Sequence, residues 1–271
     1  MYPILINVSG FQVFTSGVMW FIGCCVAALV LLKISKDQNL PYWLLIRMQL
    51  ACLIGGIIGA RLGYVHLNLE FFTNNPLEIL KFYKGGMVYY WGFVGGLTAG
   101  FLFWRGRTGW IKICDIMILS LVPAHIMGRV GCYLHGCCFG LSFQKLPYLE
   151  WLVVRFPADN ILRHPVQLYS AFGLLVIFIV LCLVYKNSKR PGLVTITYIY
   201  SYAIFRFTIE FVRDDPRGYF LDILTLSTSQ GIALVSVMIT TLYLLLIQLN
   251  LISKPNFNIG PTSSTTCTYV F

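Results

Sequence analysis

The sequence predicts an all-α membrane protein: a polytopic bundle of about seven transmembrane helices, N-terminus outside and C-terminus in the cytoplasm. Three observations predict it. Of the 271 residues, 58% are apolar and only 11% charged, against about 25% charged in soluble domains. The apolar residues fall in long runs at 11–34, 42–64, 86–103, 111–134, 166–185, 193–211 and 226–252, and a bilayer crossing needs roughly 20 residues. Lastly, backbone amides and carbonyls cannot be left open to lipid, so such runs close their hydrogen bonds as helices rather than as open strands.

The elements follow in order. The first run begins after a start, Met1 to Gly10, that lacks the basic n-region of a cleavable signal, so it is expected to stay as a span. The third run is short and rich in glycine. The loops after odd-numbered runs carry Lys33, Lys36, Arg105, Arg107, Lys112, Lys186, Lys189, Arg190 and Lys254, with Asp37 almost the only acid. The opposite loops mix Lys81, Lys84, Lys145 and Arg155 with Glu70, Glu78, Glu150 and Asp159. Lysine and arginine collect on the cytoplasmic side, which sets the orientation given above. Residues 1–255 are expected to form one membrane domain, with 142–164 as an extracytoplasmic segment resting on the membrane surface. Its aromatic residues and isolated charges, Tyr148, Trp151 and Arg155 among them, suit an interface. The polar tail 256–271 has no periodicity and is expected to be disordered.

The formal charge of +10 is divided between loop ends and helix interiors. That distribution favours anionic lipid over nucleic acid, which needs an exposed basic patch. Cys24, Cys25, Cys52 and Cys182 lie in apolar runs and read as small packing residues.

The densest stretch is Gly128-Arg129-Val130-Gly131-Cys132-Tyr133-Leu134-His135-Gly136-Cys137-Cys138-Phe139-Gly140, at the end of an apolar run. At 3.6 residues per turn, His125, Arg129, Cys132 and Gly136 share one stripe. Gly131, Gly136 and Gly140 permit close approach of a neighbouring helix or of a ligand. Four arginines, Arg61, Arg129, Arg206 and Arg213, stand inside or at the ends of apolar runs, and Glu210 is the acid embedded among them. Arg206 and Glu210 are four apart and can pair. The remaining cations call for an anion, and a phospholipid phosphate is the one the membrane supplies. The spacing of Cys132, Cys137 and Cys138 with His135 between them is not a standard zinc pattern. No metal and no cofactor are therefore expected, although thiol chemistry near Arg129 stays open.

At this point the chain resembles the prolipoprotein diacylglyceryl transferase family over about residues 11–250. Gly59-Ala60-Arg61-Leu62-Gly63-Tyr64 is similar to G-x-R-x-G-Y, and Gly85 to Gly92 to G-G-M-x-x-H-G-G. Asp115 precedes Arg129 at the family's spacing, and Gly128 to Gly140 resembles G-R-x-G-N-x-x-N-G-E-x-x-G. Arg163-His164-Pro165-Val166-Gln167-Leu168-Tyr169 resembles R-H-P-x-Q-L-Y, and Arg206 to Arg213 resembles R-x-x-x-E-F-x-R. In place of the family's residues, Tyr90 stands for its histidine, Cys132, His135 and Cys137 for two Asn and a Glu, and Ser16 for a tyrosine.

The resemblance implies a bacterial cytoplasmic (inner) membrane enzyme whose partners are phosphatidylglycerol and a prolipoprotein signal peptide. The enzyme moves a diacylglyceryl group onto the lipobox cysteine thiol and releases glycerol phosphate. It implies Arg129, Arg206, Glu210, Tyr90 and His125 as catalytic residues, with His125 on the arginine stripe as the candidate proton acceptor and His135 next. Arg61, Gly131, Cys132, His135, Gly136, Cys137, Gly140, Gln167, Tyr169 and Arg213 are implied as substrate-binding. Three other readings stand beside it: a transferase with a different acceptor, a non-catalytic phospholipid-binding protein, and a thiol-redox or metal protein.

Overall fold

Helices carry the fold, as the apolar runs require. The computed structural model describes residues 1–8, 11–82, 85–107, 109–148, 150–157, 159–188, 190–214 and 226–249. The helices are α1 (Thr15–Asp37), α2 (Tyr42–Leu67), α3 (Leu69–Asn74), α4 (Tyr89–Trp104), α5 (Trp110–His135), α6 (Val166–Asn187), α7 (Leu193–Ile209) and α8 (Thr228–Gln248). Five of them, α1, α2, α5, α6 and α8, are long and apolar enough to cross a membrane. The other two apolar runs give shorter helices, 16 residues in α4 and 17 in α7. The tail 256–271 lies outside the described residues.

The first apolar run divides in a way its composition does not reveal. Strands β1 (Ile4–Val8) and β2 (Phe11–Phe14) pair antiparallel, and α1 starts only at Thr15. A short apolar run has the same look in a strand and in a buried helix, so periodicity did not separate them. The Tyr2 amide donates to the Leu134 carbonyl at 3.0 Å, which ties this hairpin to the end of α5. Segment 142–164 holds a second small pair, β3 (Val154–Arg155) with β4 (Leu162–Arg163). Its Tyr148 and Trp151 are exposed.

Among the described residues the chain divides into two compact units, one of residues 1–30 and 111–249, the other Leu31–Trp110. In the second unit α2 and α4 approach through glycines. A Cβ on Gly59 would lie 2.5 Å from the Trp91 carbonyl oxygen, and one on Gly92 3.1 Å from the Gly56 oxygen. Small residues at a helix interface admit this approach, and in lipid it is packing rather than water exclusion that joins helices. The glycine content of the third apolar run is thereby explained.

In the first unit α6, α7 and α8 pack in sequence order, and α1 meets α5 where a Cβ on Gly23 would lie 3.0 Å from the Ala124 oxygen. The start of α7 is held by a buried carboxylate on α5. Asp115 accepts from the Gly192 amide at 2.6 Å, the Thr195 amide at 2.8 Å and the Thr195 hydroxyl at 2.6 Å. This satisfies donors that the first turn of a helix leaves without partners. Helix α8 starts on a capping box, in which Ser227 Oγ accepts from the Gln230 amide and Gln230 Oε1 from the Ser227 amide.

Candidate functional site

Helices α5 and α7 each bring cations to one cleft. From α5 come His125 and Arg129, one turn apart; from α7 and the turn after it come Tyr202, Arg206 and Arg213; Ser170 of α6 completes the polar lining. The spacing is helical in both cases. A step of three or four residues returns to the same face, so His125 with Arg129, and Tyr202 with Arg206 and Glu210, point together.

Among the described residues, the carboxylate beside these cations is Glu210. Glu210 Oε2 lies 2.6 Å from Arg206 Nη1 and 3.8 Å from Arg213 Nε. Arg206 Nη2 also donates to Ser229 Oγ at 2.7 Å. Arg129 has no carboxylate partner among the described residues; its Nε donates to His125 Nε2 at 3.2 Å. Among the described residues, Glu210 thus stands beside Arg206 and Arg213, and Arg129 joins them on the cleft with no carboxylate of its own. A guanidinium out of water is stabilised only by charge or hydrogen-bond acceptors close by, so the arrangement favours an anion such as a phosphate.

The bond from Arg129 fixes the character of His125. Its Nε2 lone pair is occupied by the arginine N–H, so in the neutral ring the hydrogen sits on Nδ1. While that bond holds, the ring offers no free lone pair to a substrate thiol. In this structure His125 Nε2 accepts from Arg129 Nε.

Other residues singled out from the sequence lie around this centre or apart from it. Arg61, expected from the sequence to bind substrate, donates to backbone carbonyls. Its Nε donates to the Ile79 carbonyl at 3.0 Å, Nη1 to Gly85 at 2.7 Å and Gly86 at 3.2 Å, and Nη2 to Glu78 at 2.6 Å. Its guanidinium also stands over the Tyr64, Phe72 and Phe82 rings. The group sequence reasoning left without a partner is held by carbonyl oxygens of its own unit, and it fastens the 78–86 segment to α2. Tyr90 lies in the same second unit, in the first turn of α4, with its ring edge-on to Tyr89.

In the first unit, Gly131 serves helix packing: a Cβ there would lie 2.9 Å from Met19 Cβ. Gly140 is equally closed, 2.7 Å from the Val212 oxygen and 2.9 Å from the His164 oxygen at the position of a Cβ. It donates its amide to His164 at 3.0 Å, and Leu141 donates to Val212 at 2.9 Å. The signature segment is thus stitched both to the R-H-P-x-Q-L-Y segment and to the end of the arginine helix.

Within that segment Arg163 pairs with Asp159 at 2.7 Å and Asp214 at 2.6 Å, and Lys145 pairs with Asp214 at 3.0 Å. Hydrogen bonding from Arg163 holds the Asp159 carboxyl below the usual range. Burial works to raise Asp214, but the bonds from Arg163 and Lys145 prevail and hold it low as well. His164 is buried between the Tyr169 hydroxyl and the Leu146 carbonyl, each at 3.0 Å. Tyr169 therefore faces His164, and Gln167 donates its Nε2 to the Cys137 carbonyl.

At the C-terminal end of α5, Gly136 adopts φ +82, a left-handed turn that glycine takes at no steric cost. His135 packs edge-on against Phe14. The Sγ atoms of Cys132, Cys137 and Cys138 lie within 4.8 Å of one another, which makes these thiols the group among the described residues able to hold a metal ion.

Sequence reasoning missed Ser170, Tyr202 and Ser229. Tyr202 was within reach, because it precedes Arg206 by four residues and so shares its face. Its ring centroid lies 5.8 Å from that of His125. For Ser170 and Ser229 only the packing of α6 and α8 brings the hydroxyl to the arginines.

With this geometry in view, comparison with known proteins decides the family. The sequence model of prolipoprotein diacylglyceryl transferases matches residues 3–246. The chain belongs to the prolipoprotein diacylglyceryl transferase family. It is 34% identical to the phosphatidylglycerol–prolipoprotein diacylglyceryl transferase of Clostridium tetani over 243 residues, covering 88% of this chain and 95% of the relative. The protein of the same name from Clostridioides difficile is 30% identical over 211 residues, 76% of this chain and 82% of its own length. That from Cupriavidus necator is 36% identical over 184 residues, 66% of this chain and 65% of the relative. Within this family, the arginine cleft is where the chain concentrates charge in an apolar frame.

Proposed function

We propose that this protein transfers the diacylglyceryl group of phosphatidylglycerol onto the lipobox cysteine of a prolipoprotein signal peptide, releasing glycerol phosphate. One observation carries the reading: Arg129, Arg206 and Arg213 line one cleft in a chain that belongs to this family along most of its length. In this reading α4 and α7 join the five longer helices as spans, and the positive-inside rule puts the N-terminus outside and the C-terminus in the cytoplasm. The setting is the bacterial cytoplasmic membrane, and nucleic acid has no part.

The chemistry is an attack of the peptide thiolate sulfur on the glycerol carbon that bears the phosphate ester. A C–S bond forms, the C–O bond breaks, and its electron pair leaves on glycerol phosphate. The developing charge on that phosphate is what the site has to stabilise. Arg129 supplies the cation that lacks a carboxylate, and Arg206 and Arg213 supply the others, with Glu210 setting their geometry. Pre-placed donors of this kind act most strongly where charge develops in an apolar setting. His125 holds Arg129 in place, and Asp115 fixes the start of the helix that carries Arg206. Arg61 holds residues 78–79 and 85–86 ahead of Tyr90 through their carbonyls. Gln167, Tyr169, Gly131, Gly136 and Gly140 hold the segments around the signature in place.

The test uses purified protein, phosphatidylglycerol vesicles and a synthetic lipobox peptide, read by mass spectrometry. The expected result is a peptide mass gain equal to one diacylglyceryl group. Absence of that gain beside an active relative overturns the reading. A second reading keeps the lipid but changes the acceptor, and it is favoured by Tyr90, Cys132 and Cys137 standing where the family has other residues. Glycerol phosphate release without a peptide product would establish it.

A further inference from the structure

The turn that ends α5 brings together three thiols from two places in the sequence. Cys132 belongs to the last turn of the helix. The chain then reverses: the amides of both Gly136 and Cys137 donate to the Cys132 carbonyl at 3.1 Å, with Gly136 at φ +82. Cys138 follows in the left-handed region at φ +61, a conformation that residues bearing a Cβ rarely hold. Adjacent side chains normally diverge, but here the reversal turns both Cys137 and Cys138 back onto Cys132. All three Sγ atoms come within 4.8 Å of one another, and all three side chains are half-buried. None of the three is in a disulfide.

A second observation concerns what surrounds them. Gln167 is 1% exposed and holds the Cys137 carbonyl with Nε2, yet its own Oε1 is buried without a hydrogen-bond partner. His135 Nδ1, three residues beyond Cys132, is buried in the same condition. Buried polar atoms are nearly always satisfied, so these two, one on the residue bonded to the Cys137 carbonyl and one a turn beyond Cys132, fit a ligand bound near this turn. Thiolate sulfur selects soft cations of filled d shell, and three protein ligands leave one tetrahedral position open for water or an incoming thiol. Three thiolates around a divalent cation carry one net negative charge, and Arg129, one turn before Cys132, supplies the opposite charge.

We propose that Cys132, Cys137 and Cys138 form a three-thiolate site for one thiophilic d10 cation, zinc(II) being the ion to test. The proposal goes beyond the transferase reading and does not depend on it. Two of the three ligands, Cys132 and Cys137, stand where the chain departs from its family's signature. Partial exposure of the thiols supplies the entry path that a metal site requires.

The experiment uses the full-length protein in detergent, reduced, stripped with a chelator, and loaded with zinc or cadmium. We expect one ion per chain by elemental analysis and a sulfur-to-cadmium charge-transfer band. Zinc should protect Cys132, Cys137 and Cys138, but not Cys25, from alkylation mapped by mass spectrometry. Cys137→Ser should weaken binding at least tenfold, and Cys182→Ser should leave it unchanged. Because the protection map is read on the unaltered chain, a poorly folding variant does not compromise the test. Failure to retain zinc overturns the proposal. So does equal alkylation with and without zinc, or a Cys132–Cys137 disulfide in protein denatured without reductant. None of these readouts involves lipid transfer, so a failed metal site and a failed transferase reading are told apart.

Discussion

Arg61 and Arg129 are alike in sequence and opposite in structure. Each stands in an apolar helix beside glycines, and each is a cation that lipid alone would not tolerate. Arg61 is enclosed by four carbonyl oxygens and three aromatic rings of its own unit. Arg129 has one histidine nitrogen and no carboxylate among the described residues. The difference teaches that an intramembrane arginine marks a site only when its hydrogen-bonding capacity is left over for a ligand. A charge completed by backbone is a fastening.

The sharpest break of this comparison is a pair of variants. Arg129→Ala is expected to lower lipid transfer by about 10² to 10³-fold, the usual loss for a pre-placed donor to developing charge, with the thermal midpoint in detergent little changed. Arg61→Ala is expected to do the reverse. It removes the side-chain donor to four part-buried carbonyl groups and should destabilise by about 2–3 kcal/mol, read as a fall in thermal midpoint and yield. If Arg61→Ala folds normally and loses only turnover, the contrast drawn here is wrong.

Asp115→Ala sharpens the same point at a helix end. It removes the acceptor for three donors at the start of α7 and should cost about 2 kcal/mol, at the upper end for a helix cap. A smaller effect separates the two roles of His125. His125→Gln keeps an acceptor for Arg129 and is expected to retain transfer within about tenfold. His125→Ala should lose more, since a hydrogen bond to a charged group contributes about 1.5–3 kcal/mol. Equal, complete loss in both variants would return His125 to the proton-acceptor role.

The smallest effect is one of pH, at the Arg163 network outside the spans. Asp159 and Asp214 are both held below their ordinary range. A depressed folded-state value adds stability that is present above the ordinary Asp value of about 3.9 and is lost as pH falls through the lower folded value. Hydrogen exchange of 142–164 should therefore be flat from neutral pH to about 5, with protection falling only below about 4. Loss of protection already near neutrality would show that this network does not hold the segment.

Much of the fold could be read from the residues. The runs that became α1, α2, α5, α6 and α8 were plain because a bilayer-length apolar stretch has essentially one way to satisfy its backbone. The β1–β2 hairpin was not, because Ile4 to Phe14 continues the same apolar composition into α1 and pairing is a tertiary matter. At the site, Arg206 and Glu210 were legible as a pair from their spacing of four. Ser170 and Ser229 were not, because nothing in their neighbourhoods distinguishes them from any helical serine.

By itself the sequence determined the class, the helices and the chemical inventory: a membrane chain of one known family, with more arginines than acids inside it and three thiols at its signature. Local periodicity and charge are properties of neighbouring residues, so they survive without coordinates. Only the tertiary structure decided which arginine is fastened and which is open, and that the three thiols converge. Those outcomes depend on contacts between distant segments and on left-handed turns at Gly136 and Cys138, which the packing of the whole unit sets.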